Sequence, residues 1–187
     1  MRIFGIDPGS TRTGYGCVET DGTRHQLVTC GAIASPAGST FPDKLHVIHD
    51  TLARLLRETS PACVVVENLF YSRNVRSALQ LGHARGVVLL AAVQAGVPIV
   101  EYTPAEIKLA VVGYGRADKT QVQQMVKLLL GLDAVPTPHD AADALAAALC
   151  HSHSGTSALA RRATRALPRH LKNWRDYRPA TAGRQTP

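Results

Sequence analysis

Two short apolar runs in this chain each stop on an acid: RIFGID on Asp7 and ACVVVE on Glu67. Runs of this length and composition read as buried strands, and the first is followed at once by the turn pair Pro8-Gly9. In an open α/β sheet, chemistry gathers at the carboxyl ends of the strands. Two acids placed there stand side by side if their strands are neighbours. An acid at a strand end is also an ordinary turn or cap residue, so either acid alone argues little. The pair is what brings a functional reading level with the structural one.

The rest of the chain alternates around those two runs. Further strands are predicted over 13–19, 24–33 and 97–102, with Asp21-Gly22 as the hairpin turn between the first two of these. Helices are predicted over 41–58, 74–95, 103–112, 118–130 and 137–153. In the first of them Leu45, Ile48, Leu52, Leu55 and Leu56 recur at helical spacing, Thr40 with Asp43 forms a capping box, and Ser60-Pro61 stops it. Strands first, then strands alternating with helices, indicate a single α/β domain over 1–153 around a sheet of mixed direction. In the second helix Gly82 and Gly86 lie one turn apart. Small residues there permit close contact with another helix, or with the helix's own sheet.

A second acidic pair lies in TPHDAADALAAAL. Thr137, Pro138 and Asp140 read as N-cap, first and third residues of a helix, and Asp143 follows one turn down on the same face. Two carboxylates on one face repel unless a cation lies between them. Helix capping and the helix dipole account for Asp140 but leave Asp143 unexplained. If Asp7, Glu67, Asp140 and Asp143 converge, they form a cage of hard oxygen ligands suited to Mg2+ or Mn2+ and not to zinc. Phosphodiester hydrolysis uses such a cage, because two divalent ions neutralise the attacking and leaving oxygens and orient the attacking water.

Charge is distributed unevenly. The formal net charge is +7, and residues 1–154 carry 13 Lys and Arg against 13 Asp and Glu. The entire excess falls in 155–187, with eight basic residues against Asp176. Residues 154–187 are therefore read as a flexible basic tail, either a solvated arm or a second contact for a polyanion in which Trp174 and Tyr177 stack on bases. No run approaches the roughly 20 apolar residues of a membrane span. No signal segment is expected, and Cys17, Cys30, Cys63 and Cys150 are read as reduced core residues of a cytoplasmic protein. Cys150, His151 and His153 lack an evident fourth metal ligand, and the histidines are read as residues meeting the dipole of a helix C-terminus.

Six segments in order, GIDPGSTRTGYG, VVVENLF, SALQLGHARG, EYTPAEIK, ADKTQVQQMV and HDAADALAAALCH, resemble the RuvC-type Holliday-junction resolvases over about residues 1–153. That resemblance implies an RNase H-like fold with a mixed five-stranded sheet flanked by helices. It implies a homodimer that nicks two opposing strands of a four-way DNA junction symmetrically, in recombination and repair, together with a branch-migration helicase complex as partner. It implies two Mg2+ ions per subunit, replaceable by Mn2+, held by Asp7, Glu67, Asp140 and Asp143. It assigns Phe70 to the junction centre, and Lys108 and Lys119 to DNA and the catalytic site. From the residues themselves, an aromatic beside such a site can stack on an unpaired base or belong to the core. Tyr71, Arg73, Arg76 and Arg116 are further candidates for DNA contact, and Gly113-Tyr114-Gly115 reads as a loop set against DNA or as a plain interhelix turn. His139 beside Asp140 leaves the ligand register open by one residue. The same start is compatible with an RNase H-like nuclease acting on RNA precursors, with a phosphotransferase of the actin-like class, and with a junction-binding protein that does not cut.

Overall fold

The structure is a computed structural model and describes residues 1–68 and 74–154. Phe70, Tyr71, Arg73 and the basic tail lie outside the described residues. Five strands form one sheet: β1 (Arg2–Asp7), β2 (Arg12–Thr20), β3 (His25–Ala34), β4 (Cys63–Glu67) and β5 (Ile99–Tyr102). Their spatial order is β3-β2-β1-β4-β5. β2 runs antiparallel to β1 and β3, while β4 runs parallel to β1 and β5. Five helices cover it: α1 (Phe41–Thr59), α2 (Val75–Gln94), α3 (Pro104–Val112), α4 (Lys119–Leu129) and α5 (His139–Ser154). This is the mixed five-stranded α/β sheet that the alternation of elements predicts.

The alternation of side chains along the two central strands builds two cores. Phe4, Ile6, Val64 and Val66 point to one face and meet Leu52, Leu56, Ala84 and Val88 of α1 and α2. Ile3 and Val65 point to the other and meet Leu145 and Leu149 of α5, Ile107 of α3, and Val122 and Val126 of α4. Each such fully buried side chain contributes about 1.5–3 kcal/mol. Period two then decides where the strand-end acids go: Asp7 and Glu67 share parity with Ile3 and Val65, so both belong to the α5 face.

α5 is the central helix of that face, with almost every residue from Ala141 to Ser154 buried. It lies unusually close to the sheet because the strands beneath it are bare. A Cβ on Gly5 would land inside the Ala144 carbonyl, and one on Gly14 inside the Asp140 carbonyl. Alanines on the helix and glycines on the sheet together bring the two backbones together, and with them Asp140 and Asp143 to the ends of β1 and β4.

Local signals hold at most boundaries. The capping box at Thr40 and Asp43 is present, and Ser60 ends α1 with φ 44°. Two expectations are corrected, and one of two alternatives falls. β5 begins at Ile99 rather than 97, because the Val97 amide donates back to the Ala92 carbonyl of α2 at 3.1 Å and ends that helix instead of starting the strand. α5 begins at His139, so Thr137 is not its N-cap nor Pro138 its first residue. The Thr137–Pro138 peptide bond is cis, and Pro138 accepts from the Ala141 amide at 2.9 Å in the turn that leads into the helix. Gly82 and Gly86 do not pack on their own sheet, since a Cβ at either would meet nothing within 4 Å. All four cysteines are free thiols, and Cys17, Cys63 and Cys150 are buried. Among the described residues no helix is long and apolar enough to cross a membrane.

Candidate active site

The four acids come from three elements: Asp7 from β1, Glu67 from β4, and Asp140 with Asp143 from the first turns of α5. β1 and β4 are in parallel register with Ile6 opposite Val66, so Asp7 and Glu67 follow as the next pair and share a hydrogen bond. Burial, then the charges of Glu67, Asp143 and Asp140 in that order, push the Asp7 carboxyl up to about 8, against a smaller opposing pull from Lys119. Glu67 is raised as well, by burial and then by Asp143, and is held down in part by Asp7, Lys119 and Lys108. A carboxyl held that high keeps its proton at neutral pH, so Asp7 donates to Glu67 and the cluster carries one negative charge fewer than four acids would.

Two cations partly offset the rest. The Lys119 Nζ lies 2.6 Å from Asp143 Oδ2, and this contact raises the lysine above its ordinary value. Arg12 Nη1 lies 3.7 Å from Asp140 Oδ2. Lys108 and Lys119 line, with Glu67 and Asp143, a cleft of about 240 Å3 walled by Ile107, Val122 and Ala146. Both predicted lysines thus reach the acids. Arg116 is exposed in the turn between α3 and α4, and Arg76 is exposed in the first turn of α2. Tyr114 is exposed in the same turn as Arg116 and donates to Gln121 Oε1 at 2.6 Å. His139, next to Asp140, accepts at Nδ1 from Gln123 Nε2 at 2.9 Å.

The donor set is four carboxylates and no thiolate, the chemistry of a hard divalent cation. A carboxyl pushed to about 8 first by burial and then by three like charges is the electrostatic signature of a site that a cation relieves. Among the described residues the acids are not drawn into a closed trio at metal-ligand spacing. A shared proton and the Lys119 ammonium carry the balancing positive charge instead.

Two residues at the site escape a sequence reading. Arg85 of α2 donates through Nη1 to the Glu67 carbonyl oxygen at 2.9 Å and forms an ion pair with Glu101 of β5, so it ties the long helix to the strand end that bears Glu67. Arg12 opens β2 beside Asp140. Neither stands in a motif with a mechanism of its own, and only the folded register brings them in. The grouping of Cys150, His151 and His153 as zinc ligands is not supported by contact. The Cys150 thiol donates to Glu106 O at 3.8 Å, His151 Nδ1 accepts from the Tyr102 hydroxyl at 2.9 Å, and His153 Nδ1 meets Ala110 O at 3.0 Å.

The profile of the family described as crossover junction endodeoxyribonuclease RuvC matches residues 3–151. A crossover junction endodeoxyribonuclease RuvC from Trichlorobacter lovleyi is 48% identical over 179 residues, covering 96% of this chain and 100% of its own length. One from Alkaliphilus oremlandii is 50% identical over 155 residues, covering 83% and 94%. The likeness to the T. lovleyi protein therefore runs past residue 153. Among solved structures, the RNase H-like RuvC of Thermus thermophilus superposes with TM-score 0.77 at 36% identity, covering 83% of this chain and 95% of that one. The same protein in complex with a Holliday junction substrate superposes with TM-score 0.79 at 36% identity, covering 83% and 94%.

Proposed function

The chain belongs to the RuvC family of crossover junction endodeoxyribonucleases, and we propose that Asp7, Glu67, Asp140 and Asp143 are its metal-holding catalytic residues. The chain is a structure-selective endonuclease that resolves four-way DNA junctions in recombination and repair. The readings as an RNA-precursor nuclease, a phosphotransferase or a binding-only protein are set aside. The single observation that supports the assignment of the acids is their meeting from β1, β4 and α5, close enough for Glu67, Asp143 and Asp140 to raise Asp7, beside a cleft that Glu67 and Asp143 line with Lys108 and Lys119.

The group these acids suit is a pair of Mg2+ ions per subunit, which Mn2+ can replace. When bound it neutralises charge on the attacking and leaving oxygens and orients water. The chain's own residues do the rest. Asp7 and Glu67 would hold the cation as carboxylates, so the proton kept on Asp7 would have to be lost on loading, which would couple loading to pH. Lys119 leaves Asp143 and turns its ammonium to the developing charge at phosphorus, while Lys108 holds a neighbouring phosphate oxygen from the opposite wall of the cleft. Arg12 turns from Asp140 to the DNA backbone. Arg76 and Arg116 extend the phosphate contacts, and Phe70, Tyr71 and Arg73, between Glu67 and α2 in the chain, hold the opened junction.

Two active sites at a fixed spacing select a branched substrate by shape. We assign that pairing to the outer face of α2. Val75, Leu79, Leu90 and Val93 are exposed there, at 75, 60, 50 and 65%, and Gly82 and Gly86 in the same stripe have open space above them. Such a stripe suits the same helix of a second copy. A branch-migration helicase complex is the further partner, in the cytoplasm, on family grounds.

The experiment is cleavage of a synthetic four-way junction and a matched linear duplex in Mg2+, with wild type, Asp7→Asn and Lys119→Ala. Paired symmetric nicks in the junction alone are expected, abolished in Asp7→Asn with binding retained, and slowed about 10²-fold or more in Lys119→Ala. Undiminished cutting by Asp7→Asn would remove the assignment.

A further inference from the structure

At the end of α5 far from the acids, two histidines 128 residues apart in sequence turn the same nitrogen toward each other. His25, at the start of β3, and His153, in the last turn of α5, have their Nε2 atoms 3.3 Å apart. Asp143 and His153 are ten residues apart on one helix, about 15 Å along its axis, so this pair is separate from the catalytic cluster. Each ring is held by its other nitrogen: His153 Nδ1 on Ala110 O at 3.0 Å, and His25 Nδ1 on Thr20 Oγ1 at 2.9 Å. Thr20 Oγ1 in turn lies 3.1 Å from Ser152 Oγ and accepts from the Gly22 amide at 2.9 Å.

These contacts order the protons. A carbonyl can only accept, so His153 carries its proton on Nδ1 and offers a lone pair at Nε2. His25 then donates from Nε2, its Nδ1 accepts from Thr20, and Thr20 accepts from Gly22 and Ser152. The reverse order keeps every bond except the one between the two Nε2 atoms. With its proton on Nδ1, His25 donates to Thr20, and Thr20 accepts from Gly22 and donates to Ser152. In that second order both Nε2 atoms present lone pairs to one point.

We propose that His25 and His153 form a second, imidazole-based metal site that takes Zn2+ and is distinct from the carboxylate cluster. The separation is that of two ligands on one tetrahedral ion, since Zn–N bonds of about 2.0–2.1 Å set at the tetrahedral angle place the two nitrogens about 3.3–3.4 Å apart. The rings support the same geometry. Their centroids are 5.2 Å apart with planes at 61°, closer than two rings aligned head-on through nitrogens at this separation, so the Nε2 axes bend away from the line that joins them. A carbonyl on one Nδ1 and a hydroxyl on the other are the outer-shell partners that orient metal-binding histidines. Both rings are partly exposed. Among the described residues no third His, Cys, Asp or Glu completes a trio. Imidazole suits Zn2+ and is a poor ligand for Mg2+, which takes oxygen donors, so excess Mg2+ does not compete at the two histidines. An ion here pins the β2–β3 hairpin to α5 and, through Ala110, to α3; it requires the proton of His25 to move from Nε2 to Nδ1, with the Thr20 and Ser152 hydroxyls turning in step.

The test is calorimetric titration of Zn2+ into the full chain with Mg2+ in large excess at the carboxylates, comparing wild type with His25→Gln and His153→Gln. Thermal melts and long-range 15N NMR of the imidazoles accompany it. Wild type is expected to bind one more Zn2+ per chain than either variant and to melt at a higher temperature with Zn2+, while His25 moves from the Nε2–H to the Nδ1–H form. Equal Zn2+ binding in wild type and both variants, or a His25 tautomer unchanged at saturating Zn2+, overturns the proposal. The NMR readout on wild type decides the matter even if a variant folds poorly.

Discussion

Asp7 stands at the end of a fully buried strand, with three other acids around it and one lysine to offset them. That placement costs stability in proportion to its ionisation. A carboxyl whose folded value is raised contributes stability that is complete below its unfolded value near 3.8 and is lost as pH climbs through about 8. In the absence of divalent metal the wild type should therefore lose stability as pH rises from about 5 to about 9. Asp7→Asn should flatten that loss and melt higher than wild type at the alkaline end. Thermal melts in a chelator across that range check this, and parallel pH curves for the two proteins would contradict it. Among single residues the sequence is legible where an acid ends an apolar run. It is silent on Arg85 and on the pairing of His25 with His153, because a hydrogen bond between residues 18 or 128 positions apart leaves no local pattern.

Among the elements, α5 and α2 matter most to function. Helix starts are readable wherever a side chain caps its own backbone, as at Thr40 with Asp43 and at Asn74. The start of α5 misleads because Thr137-Pro138 looks like a cap followed by a first-turn proline, while the residue before a proline is biased to extended backbone and the helix begins one residue after it. The spacing of Asp140 and Asp143 is untouched by that difference, since a shift of the start leaves i and i+3 on one face. The glycines under α5 are unreadable as such. Gly5 and Gly14 matter only because Ala144 and Asp140 pass over them. For α2 the bare stripe yields a prediction. Leu79→Glu, at a position 60% exposed and outside the catalytic cluster, should shift the sedimentation mass from two chains to one at micromolar concentration. It should also replace paired nicks with slow, unpaired ones. A dimer that persists in this variant would place the interface elsewhere.

For the molecule as a whole, a charge-neutral body carries a tail whose net charge is the full +7. We propose that the tail adds sequence-independent phosphate contacts to a body whose geometry selects the junction. Deleting 155–187 should lower the slope of log affinity against log salt by about 0.9 for each phosphate that the tail neutralises, with the preference for junction over duplex retained. An unchanged slope would show the tail to be a bystander. The division of labour matches the two-sided core. One face of the sheet, under α1 and α2, is apolar packing. The other, under α5, carries every acid of the cleft.

Four carboxylates from three elements, on this proposal, act as one metal-holding unit around the proton shared by Asp7 and Glu67. The decisive experiment is calorimetric titration of Mn2+ into wild type and the Asp7→Asn, Glu67→Gln, Asp140→Asn and Asp143→Asn variants, in two buffers of different ionisation heat near pH 7. Wild type is expected to take two ions per chain with release of a proton. All four variants should bind fewer ions or bind them more weakly, and Asp7→Asn should release no proton. Wild-type stoichiometry and affinity retained in any of the four, or binding with no proton release in wild type, would contradict the shared-proton unit.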